Sequence, residues 1–157
     1  MPEVFFANEQ VDEEVSGDRL HRLASYVLTS ERVTGRAEMS VFLVDVDTMA
    51  DLNGRFLSKD GPTDVLAFPI DTYANECEDD EADDVPVLLG DVFLCPAVAK
   101  ENASWHTGEY ESELDLLVVH GTLHLLGYDH KWEKDAVRME TRECEILSGF
   151  RELASKT

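Results

Sequence analysis

Basic side chains are scarce in this chain. Thirteen Lys and Arg stand against thirty-four Asp and Glu, a formal net charge of −21 over 157 residues. Surfaces that grip nucleic acid gain most of their affinity from Lys and Arg at phosphates, and a net negative field repels a polyanion. A broad basic docking face is thereby excluded, and any role toward nucleic acid requires a local basic path. Long apolar runs are missing too; the longest fall far short of the roughly 20 residues that span a membrane. No charged segment followed by an apolar one marks a secretory signal. Cysteine is confined to Cys77, Cys95 and Cys144, odd in number and without a Cys-x-x-Cys pair. Free thiols with no disulfide partner are expected, and a cytoplasmic location is the simplest account.

The acids are unevenly spread. Seven of them fall between Glu76 and Asp84, and setting those aside leaves −14. Residues 71–86, poor in large apolar side chains, read as a solvated acidic loop. A basic path would have to come from Arg55, Lys59, Lys131 and Lys134, with Arg138 and Arg142 on the last helix. Each of these taken singly reads as a solvated surface charge. At this length one domain spanning residues 1–157 is expected, large enough to bury a core, and no internal repeat is visible.

Periodicity supplies the elements. Residues 4–7 read as a first strand, and Asp18 as the cap of a helix carrying Leu20, Leu23, Val27 and Leu28 at helical spacing. Residues 38–46 form a buried strand, and Asp47 caps a short helix ending at Leu52. Pro62 and Pro69 bracket a strand at 64–68, and residues 88–94 form another. Pro96 suits the first turn of the following helix, and Gly108 ends it. A mostly apolar helix at 111–126 and an amphipathic one at 133–147 complete the chain, the latter with a stripe of Ala136, Val137, Glu140, Cys144 and Leu147. Strands and helices interleave without the regularity of a βαβ array. The expected class is therefore α+β, a small mixed sheet packed with about five helices.

The segment from His120 to His130 holds three of the five histidines. His120 and His124 stand four apart, so on a helix both imidazoles leave one face, one turn apart. Gly127 stands where a helix commonly stops, and the chain can then turn His130 back toward the same point. Three imidazoles with no fourth protein ligand describe an open zinc site whose remaining position takes a water that the metal acidifies. That reading is a hydrolase. Unrelated surface or core histidines are the competing reading, but bare imidazoles on a buried helix need partners. Imidazole sites also take nickel, copper or iron, so the metal itself stays open.

The spacing resembles the His-x-x-x-His-x-x-Gly-x-x-His frame of the metzincin peptidases, in which a Glu follows the first His as general base. Here that residue is Gly121, which cannot take a proton, and Met139 reads as a core methionine in a helix. A zinc peptidase is disfavoured on that ground. Asp129 has two readings: a hydrogen bond to a ligand His or to the zinc water, or turn chemistry after Gly127. Tyr128 either packs in the turn or stacks on a base. His21 and His106 read as ordinary histidines. Asp64 and Asp91 either face the site or satisfy strand-end donors.

Taken whole, the run His-Gly-x-x-His-Leu-x-Gly-Tyr-Asp-His at 120–130 resembles the signature of the YbeY proteins, bacterial rRNA maturation endoribonucleases. Leu52-Asn53, Asp60 and the block Pro62-Thr63-Asp64-Val65-Leu66-Ala67-Phe68-Pro69 are similar to a second family block, and Leu89-Gly90-Asp91-Val92 to a third. The resemblance implies His120, His124 and His130 as ligands of one Zn2+. It implies cleavage of single-stranded RNA, with the 16S rRNA precursor and the small ribosomal subunit as partners in 3′-end maturation and ribosome quality control. Many members carry an arginine, assigned to the RNA substrate or to catalysis, just after the aromatic residue that follows Leu-Asn. Here that aromatic is Phe56 and the next residue is Leu57. On a strand, positions 55 and 57 share a face, so Arg55 becomes a candidate substrate-binding residue; on a helix or loop it does not. The alternative is a ribosome-assembly factor in which zinc is structural. Whether water or the RNA 2′-hydroxyl attacks is open.

Overall fold

In the computed structural model, which describes residues 2–71 and 85–155, the elements follow one another as β1 (Glu3–Asn8), α1 (Gly17–Ser30), β2 (Ala37–Leu43), α2 (Val46–Leu57), β3 (Val65–Pro69), β4 (Val87–Leu94), α3 (Pro96–Ala103), α4 (Tyr110–Leu125) and α5 (Glu133–Ser155). The strands lie in the order β1-β2-β4-β3. β2 runs parallel to both β1 and β4, while β3 closes one edge antiparallel to β4. This is the α+β arrangement with a mixed sheet and five helices that the interleaved pattern predicts. The acidic stretch at 71–86 falls almost wholly outside the described residues, as does Cys77. Cys95 is buried and Cys144 exposed, both as free thiols.

Strand β2 shows why the sheet has a thick side. Its residues alternate, with Ala37, Met39, Val41 and Leu43 buried, as period-2 side-chain direction requires. These four join Leu20, Leu23 and Val27 of α1, Leu117, Val118 and Leu123 of α4, and Met139 and Ile146 of α5 in one core. The opposite face is thinner: Val44, Met49, Leu66 and Cys95 are buried there, with Phe42, Leu52, Phe68 and Phe93 around them. Only α2 among the described helices places a fully buried side chain in that cluster, through Met49.

Several boundaries differ from the sequence reading: β2 ends at Leu43 rather than at residue 46, and the other changes fall in α2 and α5. Helix α2 begins a residue before Asp47 because Asp45 is the cap: its Oδ1 accepts the Thr48 N–H at 2.8 Å, the usual N-cap bond. It also runs on to Leu57 and ends at Ser58 in the left-handed conformation. Beyond it, Asn53 Nδ2 donates to the Gly61 carbonyl at 2.9 Å and folds the following loop back. Helix α5 continues to Ser155 because Phe150 extends its apolar stripe and packs on Tyr26, ring centroids 5.5 Å apart. That stripe is Met139, Glu143, Ile146, Leu147 and Phe150. The expected stripe was rotated off it, and Val137 and Cys144 are exposed. The acid at 143 disguised the pattern.

Helix α4 seats directly on β4 through two glycines. A Cβ on Gly121 would lie 2.7 Å from Val92 Cγ1. Gly90, at the shift in register between β2 and β4, has φ +137° and would meet the Phe68 carbonyl at 2.2 Å and Leu125 at 2.9 Å. Both positions require glycine on steric grounds. The close seating sets the depth at which the histidines of α4 emerge beside β3.

Candidate metal centre

The end of α4 is built by local chemistry. Gly127, at φ +100°, is the left-handed residue after the last turn. Its N–H donates to the His124 carbonyl at 3.1 Å, and the Tyr128 N–H to the Leu123 carbonyl at 3.0 Å, the two bonds of a Schellman motif. The Asp129 carboxylate then accepts the N–H groups of His130 at 2.7 Å and Lys131 at 3.1 Å. Asp129 thus does turn chemistry, and its effect on the site is to hold the backbone that carries His130. Tyr128 packs beside it, donating to Glu31 Oε2 at 2.9 Å with the Arg138 guanidinium 5.1 Å from its ring centroid.

This turn brings the three rings together. Centroids of His120 and His124 are 4.7 Å apart, His124 and His130 5.1 Å, and His120 and His130 5.6 Å. One nitrogen from each lies within 4.8 Å of the other two. The Nδ1 of His120 is 2.7 Å from Glu143 Oε1 on α5. A carboxylate only accepts, so Nδ1 carries a proton, and in the neutral ring Nε2 keeps its lone pair. Such a carboxylate behind a ligand imidazole fixes ring and tautomer in metal sites. Burial, with the His120 and His130 rings beside it, holds the His124 pKa below its ordinary value, which keeps that imidazole neutral at pH 7 and free to donate electrons. The donor set suits a divalent transition metal.

Two clefts flank the rings. One, of about 610 Å³, is walled by Asp64, Val65, His106, Glu113, Met139 and Glu140 along with His120 and His130. The other, of about 320 Å³, lies against β3 and reaches Leu57, Phe68, Gly121 and all three histidines. Gly121 has no space for a side chain, so the Glu of the peptidase frame is sterically barred as well as absent. Residues 55 and 57 belong to a helix, where they point roughly 200° apart. The strand geometry that would have let Arg55 stand in for an arginine at 57 is therefore not present. Leu57 lines the cleft, and Arg55 pairs with Asp51 at 3.3 Å on an exposed face. None of the six basic residues named from the sequence lines either cleft. Arg142 is bound by Glu31, Glu145 and the Ser30 carbonyl.

Sequence reasoning missed two groups here. Glu143 was legible in principle, as an acid on the 139–143–146–147–150 apolar stripe. His106 was not. Its Nδ1 lies 2.9 and 3.0 Å from the two oxygens of Glu113, a pairing that only the α3–α4 turn creates. Asp64 also lines the larger cleft, held by Thr63 at 3.3 Å and Asn102 at 3.5 Å, while Asp91 does not reach it.

A mixed sheet whose longest buried helix ends in a trihistidine turn, backed by a carboxylate and flanked by clefts, defines the class: an α+β domain with a metal-competent site of hydrolase type. Comparison with known proteins makes this specific. The family model described as Endoribonuclease YbeY matches residues 5–151, and the chain belongs to that family. The Endoribonuclease YbeY of Acidothermus cellulolyticus is 48% identical over 136 residues, covering 85% of this chain and 82% of that protein. That of Saccharopolyspora erythraea is 43% identical over 138 residues, 88% and 75% of the two chains. The solution structure of TM1509 from Thermotoga maritima superposes with a TM-score of 0.60 at 27% identity, covering 98% of this chain and 95% of that one.

Proposed function

We propose that this protein is a zinc-dependent, single-strand-specific endoribonuclease acting in 16S rRNA 3′-end maturation and ribosome quality control. The observation that carries the reading is the convergence of His120, His124 and His130 between two clefts. The family membership supports RNA as the substrate. His120, His124 and His130 would hold the metal, which when bound supplies Lewis acidity toward the phosphoryl group and lowers the pKa of a water. Glu143 fixes His120 in the tautomer that presents Nε2. Asp129 holds the turn that presents His130. The close seating of α4 on β4 keeps the rings beside β3, within reach of both clefts. No helix among the described residues is long and apolar enough to cross a membrane, and we infer a cytoplasmic enzyme.

A second reading has an observation of its own. With no Lys or Arg lining either cleft and a charge of −21, few fixed cations are available to hold phosphates, which favours an assembly factor with structural zinc. One experiment separates them: cleavage of a single-stranded RNA by zinc-loaded protein, beside its His124→Ala variant and a chelated sample. The expected result is cleavage by the loaded wild type alone, with His124→Ala folded and inactive. A folded, zinc-bearing wild type that leaves RNA intact would favour the binding role, and loss of fold in His124→Ala would make the metal structural.

A further inference from the structure

The larger cleft contains two histidines whose Nδ1 faces a buried carboxylate. His120 uses Glu143 and turns its other nitrogen toward the trihistidine point. His106 uses Glu113, yet it has no place in that cluster. Glu113 is only 1% exposed and also accepts the Thr107 hydroxyl at 2.8 Å. Among the described residues the hydrogen-bond partners of its carboxylate are that hydroxyl and the His106 ring. As a carboxylate it accepts, so His106 Nδ1 donates and Nε2 lies on the ring edge away from it. The ring is half exposed and forms part of the cleft wall shared with His120 and His130.

The other acids that line this cleft are spoken for or unsuited. Gly121 replaces the peptidase base. Glu143 is bound to His120, Asp64 is held by Thr63 and Asn102, and Glu140 is an exposed acid that repels phosphate. Histidine is the side chain that gains and loses a proton most readily near pH 7. A carboxylate behind the ring sets its orientation and offsets its charge while it holds a second proton, as in hydrolase triads.

We infer that His106 is the general acid of RNA cleavage, with Glu113 as its positioning residue; this rests on the endoribonuclease reading above. As the attacking oxygen, its proton released to solvent, bonds to phosphorus, the P–O5′ bond breaks. The electron pair stays on the 5′ oxygen, which takes the proton from His106 Nε2. The neutral ring is then reprotonated from solvent, to which it is half open.

The test uses the full zinc-loaded protein and a single-stranded RNA with one scissile linkage, made with either the normal 5′ oxygen or a 5′ sulfur. A sulfur leaving group departs without a proton. His106→Ala should lose about 10²- to 10⁴-fold in kcat on the oxygen substrate, with zinc content unchanged. On the sulfur substrate it should run within a few-fold of wild type. His106→Gln should behave the same way, guarding against a packing defect in the alanine variant. Glu113→Gln should show a smaller loss with the same substrate dependence. Equal losses on both substrates, wild-type rates, a change in KM alone, or loss of fold in both His106 variants would each overturn the assignment. Wild-type rates for His106→Ala beside an inactive His124→Ala would leave the endoribonuclease reading standing. An inactive wild type would end both.

Discussion

The two faces of the sheet are filled in different ways. Against one, α1, α4 and α5 build a deep core in which Leu23, Leu123 and Ile146 are almost wholly inaccessible, and the candidate site grows from the end of that core. Against the other, α2 and the start of α3 cover a cluster of only four buried residues, Val44, Met49, Leu66 and Cys95, and a row of phenylalanines. Phe5, Phe42, Phe93, Phe68 and Phe56 follow one another at centroid spacings of 5.1 to 6.2 Å, and the first and last are about 60% exposed. Precise placement of the three imidazoles comes with the thick side. A helix buried on nearly every side cannot rotate, so the imidazoles it carries are held by packing before any metal arrives.

That contrast can be broken by measurement. The largest effect should come from Leu123→Ala, about 4 kcal/mol by denaturant unfolding, against about 2 kcal/mol for Met49→Ala on the thin side, where neighbours can collapse into the space. Equal costs would mean that both faces are packed alike. Next, Gly121→Ala should cost about 1–3 kcal/mol because its methyl meets Val92, and zinc titration should show weaker binding as α4 lifts. If zinc affinity is untouched, the seating of α4 does not set the site. Glu143→Gln should weaken zinc binding about 10- to 100-fold with little change in stability, since it replaces the charged acceptor behind His120 with a neutral amide oxygen.

Smaller effects belong to the thin side. Hydrogen bonds from the Thr48 side chain and N–H hold the Asp45 carboxyl below its ordinary pKa of 3.8. A lowered carboxyl pKa contributes stability that is present above 3.8 and lost as pH falls through the folded-state value. Asp45→Asn should remove that component, so the stability gap between the two proteins in urea unfolding should be widest at pH 7 and close as the pH falls through the folded-state value. Identical profiles would show that the cap bond does not depend on ionisation. Smallest of all, Phe5→Ser at the exposed end of the aromatic row should stay within about 0.5 kcal/mol of wild type.

Much of the site was readable because it is local. The His120–His124 spacing, the glycine stop at 127 and the return of His130 involve eleven consecutive residues, and helix periodicity with turn stereochemistry determines their arrangement without help from elsewhere. The exclusion of a peptidase base at Gly121 was equally visible. The α2 segment was misjudged for a related reason. Asp45 and Asp47 are both competent caps by residue type, and which one precedes the first helical turn depends on where β2 ends.

By itself, then, the sequence determined the α+β class, the strand and helix order, the three imidazoles and the absence of a carboxylate next to the first. Tertiary structure decided the partners. Glu143 reaches His120 across 23 residues, and His106 meets Glu113 through the fold of the α3–α4 turn. Leu57 rather than Arg55 lines the cleft because their segment is helical. Periodicity and turn chemistry act within a few residues and leave a pattern in the chain. The choice of which buried carboxylate meets which ring follows from how whole elements pack, and no short window of sequence records that.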